Sequence, residues 1–371
     1  MIKIHKNYPG GNIQVNNIKG NIVNLEQEIR DTTLWWFYWG FCIDSPPEGE
    51  LIFNFTNGDV VGPQGPAVSN DRAEWKWLGE KSDISRSSFK CTFDGTEEQV
   101  FFCISFPYQL SDFDRFYKRH NIHPMLIQTD LALSEEGRRV PLLRIGDKAA
   151  NKNIILTCRH HACESIASYV LEGVIDFYLR EESGEILSEF AFYVIPFMDI
   201  DGVENGDQGK CRHPHDHGDD YRNDNIYKST SALMSLASEL KPVVYLDFHC
   251  PWIWAYGKMR DEHPFFGKGP SPMKERIEKL GNLLKKATLQ NADSGSILYD
   301  PAYDIETGED WMTPEEMENS ASTYFSKSDV NLSAFIEIPY FHAGDRVITQ
   351  KNAGKFGIAF GIALKEYLKM N

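Results

Sequence analysis

Nowhere in this 371-residue chain do apolar residues run on for the roughly 18 positions that a membrane-spanning helix needs. No membrane span is therefore expected. The opening residues, Met1 to Pro9, carry Lys3, His5 and Lys6 and lack the apolar stretch of a secretory leader. Positive charge is scarce: 38 Lys and Arg stand against 54 Asp and Glu, a formal net charge of -16. That balance argues against unaided binding to nucleic acid or to an anionic membrane. Cysteine is sparse too. The seven present are an odd number without paired spacing, so they read as free thiols of a reducing compartment, and the expected location is cytoplasmic. There is no internal repeat, no low-complexity tract and no glycine loop that would cradle phosphate.

What is present points to a two-domain globular protein. The length suggests two domains, and 42% hydrophobic residues are enough to give each a core. Residues 1–115 read as an antiparallel β-sandwich. Their apolar runs are short and rich in aromatic and β-branched residues, as at Leu34–Trp39, Glu50–Phe55 and Gln99–Ile104, with Gly, Pro, Asn and Asp between them. The aromatic run at 34–39 is expected in the sandwich core, with a docking or carbohydrate-stacking face as the alternative. Residues 116–371 change texture and read as an α/β domain with a mixed, mostly parallel sheet. Strands are expected at 153–158, 190–195, 243–248 and 333–338. Helices are expected at 165–179, 229–240, 272–288 and 354–369.

Four segments of this second part carry chemistry. His161-Ala162-Cys163-Glu164 is a His-x-x-Glu whose spacing, at a helix start, puts both side chains on one face and within reach of one metal. A polar helix cap is the plain alternative. His160 competes as a ligand, but three residues on it meets Cys163 rather than a carboxylate. His249 ends an apolar strand, just before a break at Cys250-Pro251, where a ligand rather than a core histidine is expected. Glu337 lies inside Phe335-Ile336-Glu337-Ile338, and a carboxylate in an apolar strand is costly unless paired or shifted toward the pKa of a base. Beyond the carboxyl ends of strands such residues converge. Three protein ligands, an open position and a nearby carboxylate are the parts of a hydrolytic zinc site, one Zn2+ per chain. The fourth segment, Asp201 to Asp224, is rich in His, Asp and Arg. His213, His215 and His217 in it are candidates for a second metal, against a polar rim loop as the alternative. Cys163 and Cys250 flank two ligands and read as small packing residues.

Taken in order, Arg159-His160-His161-Ala162-Cys163-Glu164-Ser165, Asp201-Gly202-Val203-Glu204-Asn205-Gly206, Asp247-Phe248-His249 and Glu337 resemble the zinc carboxypeptidases of the carboxypeptidase A and B type. Gly62-Pro63, Trp75 to Gly79, Phe106-Pro107-Tyr108 and Gly137 to Leu143 resemble the cytosolic carboxypeptidase branch, which has an N-terminal β-domain. The resemblance implies zinc held by His161, Glu164 and His249, with Glu337 as general base in hydrolysis of a peptide or isopeptide amide. The substrate is then a peptide or protein. It also implies a basic residue at the oxyanion: Lys210 and Arg212 are candidates, and the planar fork favours Arg212. One departure bears on substrate. The family carries Asp-Leu-Asn-Arg, whose Asn-Arg clamps a terminal carboxylate. In one register Asp216 keeps the role of orienting His161, and Gly218-Asp219 replace the clamp. A shifted register puts Arg222 there instead. Tyr299, Tyr303 and Tyr324 are the candidates for the family's mobile tyrosine. The alternatives are a zinc amidase or deacylase acting on substrates without a free carboxylate, and a catalytically silent binding protein.

Overall fold

The computed structural model describes residues 2–79, 84–180, 184–254, 262–269, 271–290, 292–309 and 311–370. Among these, the strands Lys3–His5 (β1), Gln14–Lys19 (β2), Ile22–Glu26 (β3), Gly40–Asp44 (β4), Gly49–Phe55 (β5), Ala67–Ser69 (β6), Lys76–Trp77 (β7), Ser88–Phe93 (β8) and Gln99–Cys103 (β9) precede the first helix. They form two sheets, ordered β1-β4-β9-β6-β7 and β2-β3-β5-β8. Neighbours are antiparallel except β3 and β5, which run parallel with Ile22 opposite Ile52. Alternation along β5 buries Leu51, Phe53 and Phe55. Phe53 meets Phe41 of β4 and Phe102 of β9 across the gap between the sheets, each at 5.5 Å between ring centres.

The run 34–39 is not a strand, contrary to its composition. The backbone N–H of Tyr38 donates to the Gln208 side chain at 2.7 Å rather than to a sheet neighbour. Trp36 and Phe37 pack against Trp252, with ring centres 4.6 and 5.4 Å away. Phe37 and Trp39 are buried, while Leu34 is exposed. The segment ties the N-terminal sheets to the loop that follows His249.

Leu110–His120 (α1) contains residue 115. After it come Leu126–Leu133 (β10), Arg139–Ile145 (β11), Lys152–Cys158 (β12), Ile166–Tyr178 (α2), Gly184–Glu189 (α3), Phe190–Ile195 (β13), Ile200–Asn205 (α4), Lys228–Leu240 (α5), Val244–His249 (β14), Phe265–Lys268 (β15), Met273–Gln290 (α6), Ile305–Glu306 (β16), Pro314–Met317 (α7), Ala321–Ser326 (α8), Leu332–Glu337 (β17) and Gln350–Leu368 (α9). The second part is the α/β fold expected, built on an eight-stranded sheet ordered β10-β11-β13-β12-β14-β17-β15-β16. Its central strands β13, β12, β14 and β17 are all parallel. β10, β11 and β15 add antiparallel pairings at the flanks.

Strand alternation divides β14 between two layers. Phe248 faces the helix layer and meets Phe360 of α9 at 5.2 Å, and α9 packs in turn on α2. Tyr245 faces the other way and stacks on Phe325 of α8 at 3.8 Å. Asp247 and His249 share the face of Tyr245. Because β12, β14 and β17 are parallel neighbours, His161, His249 and Glu337 all emerge at the same edge of the sheet.

Candidate active site

At the end of β12 the chain turns on Arg159, which is non-glycine yet has φ 61°, a left-handed conformation that costs about 1 kcal/mol or more. Its buried guanidinium holds the turn. It donates to the Tyr108 carbonyl at 2.8 Å and to the carbonyl of Ala162. Residues 161–164 form a turn closed by Glu164 N–H to the His161 carbonyl at 3.3 Å, and α2 begins only at Ile166. The His-x-x-Glu pair thus sits in the turn before the helix, not in its first turn. Tight packing fixes that turn from outside. A Cβ on Gly209 would lie 2.1 Å from the Ala162 nitrogen, so that position accepts only glycine without a shift.

His161 Nδ1 lies 2.7 Å from Glu164 Oε1, and His249 Nδ1 lies 2.8 Å from Glu164 Oε2 and 3.2 Å from His161 Nδ1. All three residues are buried. Two imidazole nitrogens and a carboxylate drawn this close could hold a metal ion, and they are donor types that zinc takes. Burial alone would push Glu164 up, but His161 and His249 outweigh it and hold the carboxyl well below the usual range.

Each histidine is braced from behind. His161 Nε2 lies 3.5 Å from Asp216 Oδ1. The other Asp216 oxygen accepts from Cys211 N–H at 2.7 Å. His249 Nε2 lies 2.9 Å from Asp247, which also meets His160 Nδ1 at 3.0 Å and accepts from Thr157 at 2.8 Å and Tyr245 at 3.2 Å. Asp247 was readable only as an interruption of an apolar strand. The signal that could have found it is the two-residue period, which places it on the face of His249. His160 is engaged at both nitrogens, by Asp247 and by the Tyr221 hydroxyl at 2.7 Å, and with Asp247 and His249 it forms a second group close enough to hold a metal ion.

Glu337 stands directly opposite His249 in the β14–β17 register. Its Oε2 is buried and has no hydrogen-bond partner among the described residues. Burial pushes this carboxyl up to about 7 despite His249 and Lys210 nearby. The group lines a cavity of about 200 Å3 that also contains His161, His249, Asp216, Lys210 and Asp219. A larger groove shares Met317, Ser322 and Phe335 with it and leads outward.

The two candidate cations separate clearly. Arg212, favoured for the oxyanion, is locked elsewhere: Asp31 lies at 3.1 Å, Asp199 at 2.8 Å and Asp207 at 3.1 Å. Its fork is fully engaged and it does not line the cavity, so the expectation is corrected in favour of Lys210. Lys210 lines the cavity with no hydrogen bond or ion pair among the described residues. Burial opposes its charge, but Glu164, Asp216 and Glu337 outweigh that and raise its pKa. Asp219 also lines the cavity, whereas Arg222 does not. The Arg222 Nε and Nη2 donate to the Asp219 carbonyl at 3.0 and 2.8 Å.

The histidines 213, 215 and 217 do not gather around a point. His215 pairs with Asp220 at 2.6 Å, His217 stacks on Tyr227 at 3.6 Å, and His213 is exposed. Tyr299, Tyr303 and Tyr324 are not among the lining residues either, and the Tyr299 hydroxyl is bound to Asp304 at 2.8 Å. Cys163 and Cys250 are buried thiols whose pKa burial raises, that of Cys163 to about 12, in keeping with a packing role.

A family profile described as zinc carboxypeptidase matches residues 118–230. The likeness is to the zinc carboxypeptidases. Cytosolic carboxypeptidase 6 of Caenorhabditis elegans is 24% identical over 261 residues, 60% of this chain and 57% of that protein. Cytosolic carboxypeptidase 2 of Homo sapiens is 26% identical over 200 residues, 47% of this chain and 22% of that protein. The chain thus spans little more than half of one relative and about a fifth of the other. A metallo-carboxypeptidase from Burkholderia cenocepacia superposes with a TM-score of 0.79 at 16% identity, covering 100% of this chain and 99% of that one. A metallo-carboxypeptidase from Pseudomonas aeruginosa gives 0.76 at 17% identity, with 99% of each chain covered. The fold is therefore carboxypeptidase-like over its whole length. The zinc carboxypeptidase match includes His161, Glu164, Lys210 and Asp216. His249 and Glu337 lie beyond it and join the site through the parallel sheet. No described helix is long and apolar enough to cross a membrane.

Proposed function

We propose that the chain is a zinc-dependent hydrolase of amide bonds, of the metallocarboxypeptidase type, with peptides or proteins as substrates. One observation carries this reading: Glu337, whose buried Oε2 has no hydrogen-bond partner among the described residues, lines the same small cavity as His161 and His249 of the trio. The donor set fits one Zn2+, which would polarise a carbonyl and acidify a water. Glu337 takes the proton of the attacking water and returns it to the leaving nitrogen. Lys210 faces the charge that develops on the carbonyl oxygen. Asp216 and Asp247 hold the imidazoles in their orientation.

The N-terminal strands are proposed to form a β-sandwich domain ending near residue 115, ahead of the catalytic domain at 116–371. A cytoplasmic setting is proposed on the names of the relatives and on the seven cysteines, all free. An acidic net charge of -16 goes with a substrate other than nucleic acid.

The test is elemental analysis with and without His161→Ala, followed by hydrolysis of N-acylated peptides and amides. About one zinc per chain, lost with activity in the variant, is expected. A wild-type protein that takes up no zinc when it is supplied would bring forward the reading of a silent binding protein. A second reading, hydrolysis of amides lacking a free carboxylate, is favoured by Asp219 in the cavity.

A further inference from the structure

The cavity around the trio has an uneven charge. Its lining carries the carboxylates of Asp216, Asp219, Asp247, Glu316 and Glu337, and, besides the metal-site histidines His161 and His249, Lys210 is its one Lys or Arg among the described residues. These carboxylates are not equivalent. Asp216 and Asp247 are engaged by histidines, and Glu337 stands at the reacting centre. Asp219 has no hydrogen bond or ion pair to its carboxylate among the described residues, although its backbone is firmly held. Its N–H donates to the Asp216 carbonyl at 3.2 Å and its own carbonyl takes two bonds from Arg222.

Placement follows from the neighbour. A Cβ on Gly218 would stand 2.6 Å from His161 Nε2, so the backbone passes against the trio itself and sets Asp219 one residue farther along the cavity wall. Glu316 of α7, exposed at the rim, adds a second negative group to this wall. A carboxylate arriving here would meet the negative charge of Asp219 and, among the described residues, no guanidinium, and like-charge contact in a partly dry site is strongly unfavourable. A cation meets an unpaired carboxylate instead.

We propose that Asp219 determines specificity, and that the cavity takes amides whose leaving-group side bears an ammonium or guanidinium and no free carboxylate. This rests on the amide-hydrolase reading above. Lys210, drawn toward Glu164 and Glu337, serves the oxyanion, and Asp219 serves the cation. Glu316 strengthens the same field from the rim.

The test uses zinc-loaded Glu337→Gln protein, so that probes are bound and not consumed. Calorimetric titration compares N-benzoylglycyl amides of 1,5-diaminopentane, of pentylamine and of norleucine as the free acid. The diaminopentane amide is expected to bind at least about 10-fold more tightly than either other probe. Asp219→Asn in the same background is expected to remove the advantage, and Asp219→Arg to hand it to the norleucine acid. Equal binding of the three, binding by none, or tighter binding of the free acid overturns the proposal. The two readings fail separately. A preference for the cationic probe in a wild-type protein that hydrolyses nothing sinks the hydrolase reading alone. Preferred cleavage of free-acid peptides sinks the cation pocket alone.

Discussion

His249 and Glu337 stand opposite each other, as Cα partners at the carboxyl ends of the adjacent parallel strands β14 and β17. Side chains alternate along a strand, so a slip of one residue would send Glu337 to the opposite face and away from the candidate metal donors. The position of the proposed base is therefore set by sheet register. Six consecutive pairs, from Val244 with Leu332 to His249 with Glu337, hold that register, and the apolar pairs Val244–Leu332, Leu246–Ala334 and Phe248–Ile336 among them are buried. Precise placement of a charged group is thereby supplied by parts of the chain with no chemistry of their own.

Glu337→Gln keeps the shape of the side chain and removes its basicity. Hydrolysis is expected to fall by about 10^2- to 10^4-fold while zinc content stays at the wild-type level. The pH profile of wild-type kcat/KM should rise with pH on its acid side, because only the ionised carboxylate accepts the proton. Burial sets the metal-free carboxyl at about 7, and a bound cation lowers it, so the midpoint belongs at or below about 7. A midpoint well above 7, or a variant of unchanged activity, would remove Glu337 from the role of base.

Lys210 and Arg212 lie two residues apart and should fail differently. Lys210→Ala leaves no buried partner stranded, so folding should persist while activity drops by about 10^2-fold or more. Arg212→Ala takes from Asp31, Asp199 and Asp207 the cation they share, leaving them backbone N–H groups and Arg30, and removal of one member of such a cluster costs about 3–5 kcal/mol. Thermal unfolding together with kinetics separates the two. If Arg212→Ala folds normally and loses only activity, the guanidinium acts at the oxyanion after all.

Asp247→Asn should weaken zinc binding by about 10- to 100-fold, since His249 loses the carboxylate that orients its ring. Competition with a chelator measures this directly, without any substrate. Zinc affinity equal to wild type would show that the strand alone orients the imidazole.

These residues also mark how far the sequence could be read. The strands that carry the site were legible because β12, β14 and β17 are buried on both faces and appear as continuous apolar runs. Their polar ends, His161, His249 and Glu337, stood out for that reason. Arg212 was misjudged because chemistry alone favoured its fork, while its partner Asp31 comes from a segment about 180 positions away that no local pattern announces. The run 34–39 sends Phe37 and Trp39 into the core as expected, Trp39 beside Phe41 and Phe89, but its lack of strand pairing was not legible, because aromatic density looks alike in a strand and in a bridging segment. What distinguishes them is a tertiary partner, Trp252. Asp247 was overlooked although the two-residue period placed it beside His249.

The last prediction concerns stability away from the metal. Glu172 on α2 is largely buried, and burial pushes its carboxyl up to about 7 although the Tyr108 hydroxyl donates to it at 2.7 Å. The ordinary value is 4.5, so between these two values the folded chain holds a proton that the unfolded chain releases. Folding stability therefore falls as pH rises from about 4.5 to about 7, and above that the cost of the buried charge is complete. Glu172→Gln keeps an oxygen for Tyr108 and abolishes the titration. Relative to wild type, the variant should gain nothing near pH 4.5 and gain progressively up to about pH 7. Above that the gain should level off at up to ~3 kcal/mol, from the size of the shift. Urea unfolding at a series of pH values, fitted with a common m-value, reads the difference. A difference that does not change with pH would mean that Glu172 titrates alike in the folded and unfolded chains, and that burial at this point of α2 costs its charge nothing.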